Sequence, residues 1–301
     1  MLRALNETED KLNARLKRLY KREAAEFTKD IAAYYAKYGK DNVIEFRTLL
    51  LNLDEADRDK LYSDWEAFEV KYPQYAHLGD VRKSIYKLNR LQGLQENVTL
   101  RGLRMGAFTE AEIRAHLESL ADSTYTEAWE FLYGSKPVVI NKDLARRYVG
   151  IDWTGGGDFS SRIWADTNKL SQTVNTKLAI GFARGTKYDT LSRMLATEIV
   201  TKSVRNAYRV AYTEGTYIYN ETNAGAFEDA GAKTYIFKTA QDSKVCDVCR
   251  DLDGKEFLFS ERTPGYNFPP MHPFCRCVFQ TAIEDDWYKQ FEDTWRVNEK
   301  N

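Results

Sequence analysis

All four cysteines of this 301-residue chain, and one of its three histidines, fall between Asp242 and Cys277. They are spaced as Cys246-x-x-Cys249 and then His272-x-x-Cys275-x-Cys277. An Asp251-Leu252-Asp253-Gly254 turn and a Pro269-Pro270-Met271-His272-Pro273 segment lie between and within them. Two soft-ligand clusters separated by roughly twenty residues are how a chain closes around a zinc ion. Any fold must therefore bring residues 246–249 beside residues 272–277. No other part of the sequence sets so tight a condition.

The rest of the sequence has a helical period. Leu12, Leu16, Leu19, Ala24, Phe27, Ile31 and Tyr34 recur at three- and four-residue steps, which predicts a long first helix stopped near Gly39 and Asp41-Asn42. Its other face carries Lys11, Arg15, Lys17, Arg18, Lys21 and Arg22. Further helices are expected at about 54–70, with Leu61, Trp65 and Phe68 inward, and at about 81–105. Another is expected to open at a Thr109-x-x-Glu112 capping box and to break at Tyr133-Gly134-Ser135-Lys136-Pro137. After the Gly155-Gly156-Gly157 loop, Phe159 restarts a helix with serine as a cap, and Gly185 separates it from a longer one over 190–228. Beyond Ala230-Gly231 the period changes. Residues 234–239, 256–259 and 277–281 read as short strands. The expected fold is mainly α with a small α+β C-terminal module: long amphipathic helices, then a zinc-clamped, short-stranded end domain. The expected divisions are a helical arm over 1–134, a helical middle region over 135–204 and the cysteine-bearing module over 205–301.

Three of the six prolines crowd into 269–273, which leaves the remainder free to form long helices. A formal net charge of −1 argues against a protein whose main task is to blanket nucleic acid. No apolar run is long enough to span a bilayer, and the first residues lack the apolar region of a secretory signal. A reducing, cytosolic setting follows as the expectation. There, clustered cysteines are metal ligands more often than disulfides.

The metal reading has five candidates for four places: Cys246, Cys249, His272, Cys275 and Cys277. Cys-x-x-Cys supplies a tight knuckle, and Cys275 and Cys277, two apart in an expected strand, would face one side. Four thiolates, or three with His272, both satisfy a closed tetrahedral site for one structural zinc ion. Reduced, buried cysteines without metal are the plainer alternative, and a redox Cys-x-x-Cys lacks its βαβ context. Asp242, Asp247, Asp251, Asp253 and Glu256 stand near His272, as a hydrolytic site would need. A hairpin turn whose aspartates bond local backbone accounts for them more simply, so no catalytic residue and no enzymatic activity are expected. No P-loop, Gly-x-Ser-x-Gly or His-Glu-x-x-His occurs.

The order Arg209-Val210-Ala211-Tyr212-Thr213-Glu214-Gly215, Asn220, Ala230-Gly231, Asp242 to Cys249, Leu252-Asp253-Gly254-Lys255-Glu256-Phe257 and Pro270 to Cys277 resembles the phage head morphogenesis family, minor head proteins similar to protein F of phage Mu. The motif-bearing resemblance covers about 205–283. Two residues depart from the pattern: Tyr212 stands where arginine is common before Thr-Glu, and Phe274 replaces a small polar residue. The resemblance implies a minor capsid protein of a tailed phage head, binding the portal and the procapsid interior. Scaffold, major capsid protein and packaged DNA are further candidate partners, and no membrane is implied. The implied location is the virion, at the head interior or portal vertex, after assembly in the host cytoplasm. Two rivals belong to other classes. One is a zinc-ribbon nucleic-acid binder using Lys244, Arg250, Lys255, Arg276 and the basic helix face. The other is a nuclease- or toxin-like enzyme using His272, for which too few residues follow Ile283 to supply a second catalytic module.

Overall fold

The computed structural model describes residues 2–135 and 147–281. The described chain is mainly α, with one small antiparallel sheet near its C-terminal end. Helices α1 (Leu2–Tyr38), α2 (Phe46–Leu49) and α3 (Glu55–Lys71) come first, followed by a 3₁₀ run over Pro73–Lys87. Then come α4 (Arg90–Tyr133), α5 (Phe159–Ala183) and α6 (Tyr188–Asp229). The remaining elements are β1 (Thr234–Lys238), the short helix α7 (Asp247–Leu252), β2 (Glu256–Leu258) and β3 (Val278–Gln280).

The chain divides into two compact units. The first takes in Asn6–Ile113 and Ser160–Tyr208. It is a helical unit whose cores follow the periodicity: Leu61, Trp65 and Phe68 of α3 pack with Leu53, Ile85, Leu100 and Leu103. Charge is held inside it as well. Arg101 bonds Asp30 at 2.6 Å and Glu23 at 3.2 Å, and Lys60 bonds Asp30 at 3.0 Å, which ties α1, α3 and α4 together.

Helix starts in this unit correct three expectations. Thr109 does not open a helix, because α4 runs through it without a break. Its hydroxyl is buried against the Tyr20 hydroxyl at 2.7 Å, and Glu112 pairs with Arg15 at 2.7 Å. The residues of the apparent capping box are spent on tertiary contacts with α1. The reciprocal box lies at Asn89 and Gln92: the Gln92 N–H donates to Asn89 Oδ1 at 2.8 Å, and the Asn89 N–H donates to Gln92 Oε1 at 3.0 Å. The helix expected from 81 is accordingly the 3₁₀ run up to Lys87, and α4 starts only at Arg90. Ser160 and Ser161 lie inside the first turn of α5 rather than at its cap. The expected stops at Gly39, Gly134, Gly185 and Gly231 coincide with helix ends, and the last three have positive φ. Lys136, Pro137 and Ile283 lie outside the described residues.

The second unit takes in Met1–Leu5, Arg114–Phe159 and Arg209–Asn301. Its sheet has the order β2-β1-β3, with Tyr235 opposite Phe257 and Phe237 opposite Phe279. The alternation of β1 sends Tyr235 and Phe237 to one face. Tyr235 fills an aromatic cluster with Ala224, Phe259 and Phe268, while Phe237 packs on Cys249, Cys275 and Cys277. One strand thus serves both cores. From Val210 to Ala224, α6 is buried on all sides, polar residues included.

Candidate metal centre

The first cysteine pair is built on α7. Cys246 is its N-cap residue, with an extended backbone, and its sulfur accepts the Cys249 N–H at 3.4 Å. A thiolate fits here for the same reason an aspartate does, since the first N–H groups of a helix lack internal partners. Cys249 lies one turn on and is buried. Gly254, at φ +78, reverses the chain toward β2, and its N–H donates to Phe237 O at 2.9 Å. Asp253 does not bond its own backbone as expected. It accepts the Thr239 N–H at 2.8 Å and so ties the end of α7 to the end of β1.

His272 and the second pair come from a turn, not a strand. β3 starts only at Val278, so the strand alternation expected for Cys275 and Cys277 does not apply. The Cys275 N–H donates to His272 O at 3.1 Å across Pro273 and Phe274. Phe274 has φ +62, so proline at the second position and positive φ at the third describe a type II turn.

Three polar residues of α6 receive this turn. The Phe274 N–H donates to Thr213 Oγ1 at 3.2 Å, Thr216 Oγ1 donates to Cys275 O at 3.1 Å, and Asn220 Nδ2 donates to Cys277 O at 3.4 Å. Arg276 lies between the two cysteines and donates to Asp242 from both terminal guanidinium nitrogens, from Nη2 at 2.6 Å. That pair keeps the Asp242 carboxyl down at about 2. The residues 34 apart that make it carry no spacing signal, which is why sequence reasoning missed it. Glu214 accepts the Trp153 indole N–H at 3.0 Å, and that ring stacks on Tyr217 at 5.2 Å.

The five candidate ligands converge. Cys246, Cys249 and His272 form one group with donor atoms within 4.8 Å of one another, and Cys249, Cys275 and Cys277 form a second. Cys249 belongs to both. The Cys249 N–H lowers the Cys246 thiol pKa, and a bond from Cys277 lowers that of Cys275 to about 5. Burial and the Cys275 charge push Cys249 up to about 12, while the bond to Cys275 and burial push Cys277 up. So many adjacent sulfurs cannot all carry charge on their own. A divalent cation with affinity for thiolate removes that conflict, so the donor set fits a metal ion. The nearby carboxylates do not converge on His272 in the same way: Asp242 serves Arg276, Asp247 serves Arg250 and Asp253 serves Thr239.

Residues 172–280 match the model of a family described as phage Mu protein F like protein. The matched segment is phage Mu protein F-like. No curated protein and no solved structure matches the chain. The F-like segment begins within α5, contains all of α6 and ends with β3, so every cysteine and His272 lie inside it. The expected match began near 205, and the family model reaches further back, into α5. The two departures noted above meet in space: the Tyr212 and Phe274 rings lie 6.0 Å apart. Neither is one of the candidate ligands.

Proposed function

We propose that the protein is a minor head protein of a tailed bacteriophage, which acts in head morphogenesis by binding the portal and the procapsid interior. The observation that carries this reading is the phage Mu protein F-like match, which encloses the whole cysteine and histidine cluster. In this reading a single structural zinc ion, held by four of Cys246, Cys249, His272, Cys275 and Cys277, makes the described part of the C-terminal module, up to residue 281, a rigid piece. The helical arm supplies the docking surface. The ion supplies cross-linking: it joins α7 to the turn before β3 and performs no reaction. His272 is used in holding the ion, and no catalytic role is proposed for it or for the neighbouring carboxylates.

The nucleic-acid reading receives less support, because Arg250 and Arg276 are engaged by Asp247 and Asp242. Binding to membrane is not part of the proposal: among the described residues, no helix is long and apolar enough to cross one. The test is co-expression with the portal of the same genome. The two proteins are expected to co-purify, and the protein should be present in intact virions. Failure on both counts sinks the reading.

A further inference from the structure

We propose that one copy of the protein binds a second through two exposed helix faces, the cationic face of α1 around Ala14 in one copy and the acidic face of α4 around Phe131 in the other. The proposal rests on neither the metal reading nor the portal reading.

The near-neutral charge of the chain hides a division. The helical unit has 27 Lys and Arg against 22 Asp and Glu, a formal +5, and the second unit has 17 against 23, a formal −6. Each unit therefore complements the opposite unit of a neighbouring copy.

Much of the positive charge on α1 is left unpaired. Arg15 pairs with Glu112 and Arg22 with Glu23, whereas Lys11, Lys17, Arg18 and Lys21 make no ion pair among the described residues. All four are exposed, as is Ala14 between them. At about 100° per residue the five fall within about 120° of the helix circumference, with Ala14 near the middle. Its small side chain leaves a recess walled by the apolar stems of lysine and arginine.

Phe131 is the feature this recess fits. It meets Phe227 at 6.2 Å between ring centroids and is still 68% exposed. Glu127, one turn before it, and Glu130 beside it are exposed and make no ion pair among the described residues. An exposed aromatic ring flanked by unpaired carboxylates fits a partner that is apolar at its centre and cationic around it. The α1 face has that arrangement, and cations over the ring add their own attraction. Duplex DNA would match the four cations, but it would leave Phe131 uncovered and its phosphates would be repelled by Glu127 and Glu130. A second copy satisfies both faces at once. Each copy carries both, so copies close as a pair or as a larger ring.

Sedimentation equilibrium of the full chain at about 100 μM tests this, since a Kd of about 10 μM would leave most of it associated. In about 50 mM salt the mass should exceed that of one chain. In about 500 mM salt it should fall toward it, because free ions screen exposed charges. Lys17→Glu with Arg18→Glu, and separately Glu127→Lys with Glu130→Lys, should each be monomeric at the lower salt. An equimolar mixture of the two variants should associate again, because each supplies the face that the other lacks. Phe131→Ala should weaken association about tenfold or more. All these positions are exposed, and unchanged melting checks that each variant is folded. Single-chain mass at the lower salt, association that survives both reversals, or a mixture that stays monomeric overturns the proposal. So does monomeric protein that binds duplex DNA and loses it in the Lys17→Glu, Arg18→Glu variant. Each of these results leaves co-purification with the portal as a separate question.

Discussion

Replacing Arg262 by methionine probes how much the loop after β2 depends on one buried cation. Arg262 Nε donates to Glu221 Oε2 at 3.1 Å, and its Nη1 donates to Glu228. The side chains of Arg262 and Glu221 are 17% and 7% exposed, so solvent screens this pair little. Burial pushes the Glu221 carboxyl above its ordinary range, against the pull of Arg262. Methionine preserves the apolar stem and removes the charge, leaving Glu221 buried without its partner. Breaking a buried pair from one side costs about 3–5 kcal/mol. Glu228, 33% exposed, can turn to water, so we expect the lower figure, about 3 kcal/mol at pH 8.

The sign of the pH dependence follows from the same shift. Glu221 has a folded pKa above its unfolded value, so between the two the native state binds more protons. Stability therefore falls as pH rises through that interval. At a pH low enough to protonate Glu221 no counter-charge is needed, and the loss should shrink toward about 1 kcal/mol, the worth of an ordinary hydrogen bond. Urea unfolding at the two pH values, with the slope checked for constancy, measures both losses. Adding Glu221→Gln to the Arg262→Met background should recover roughly half of the pH 8 loss. A pH 8 loss below about 1 kcal/mol, or equal losses at both pH values, refutes the reasoning.

Three other outcomes are expected. Stripping metal with a chelator should lower the melting temperature, by the equivalent of about 4 kcal/mol if free zinc had stood at a thousand times its Kd; unchanged melting refutes a structural ion. Phe274→Asn should stabilise the protein by about 1 kcal/mol, since asparagine tolerates the left-handed φ of +62 that a bulky ring does not. A loss in chemical denaturation would show that the Tyr212 contact outweighs the backbone term. Glu9, 2% exposed and with its carboxyl pushed up to about 8 by burial and then by Asp10, should weaken the helical unit as pH rises from about 5 to 8. Glu9→Gln should therefore raise stability at pH 8.5 by up to about 4 kcal/mol and change little at pH 5, which melting at the two pH values checks.

Much of this was legible from local pattern. The stripe of α1, the inward Leu61, Trp65 and Phe68, the change of period after Gly231 and the convergence of the five cysteine and histidine candidates all follow from spacing. What misled was chemistry with two uses. Thr109-x-x-Glu112 has the form of a helix start, and only the arrival of Tyr20 and Arg15, about ninety residues earlier, shows those side chains spent elsewhere. Asn89-x-x-Gln92 has the same form and is a true start. Local sequence ranks the two alike, and tertiary partners separate them. Likewise, the sequence left His272 optional as a ligand. Its ring orientation depends on a bond to Pro273 O, which no spacing encodes.

The ordered motifs of the F-like segment then have a geometric reason to occur together. Thr213, Thr216 and Asn220 contact Phe274, Cys275 and Cys277 in that order. The three contacts follow one another in the same order along both segments, so the turn and the residues after it run along one face of α6 in its own direction. A Thr-Glu helix and a His-Pro-x-Cys-x-Cys segment are in this sense one structure read at two places in the chain. The helix holds this backbone by the Phe274 N–H and by the carbonyls of Cys275 and Cys277, so none of these contacts uses a sulfur. Shifting the helical polar stripe by one residue would rotate it about 100° away from the turn. The cysteines would then lose their support before any ligand had changed.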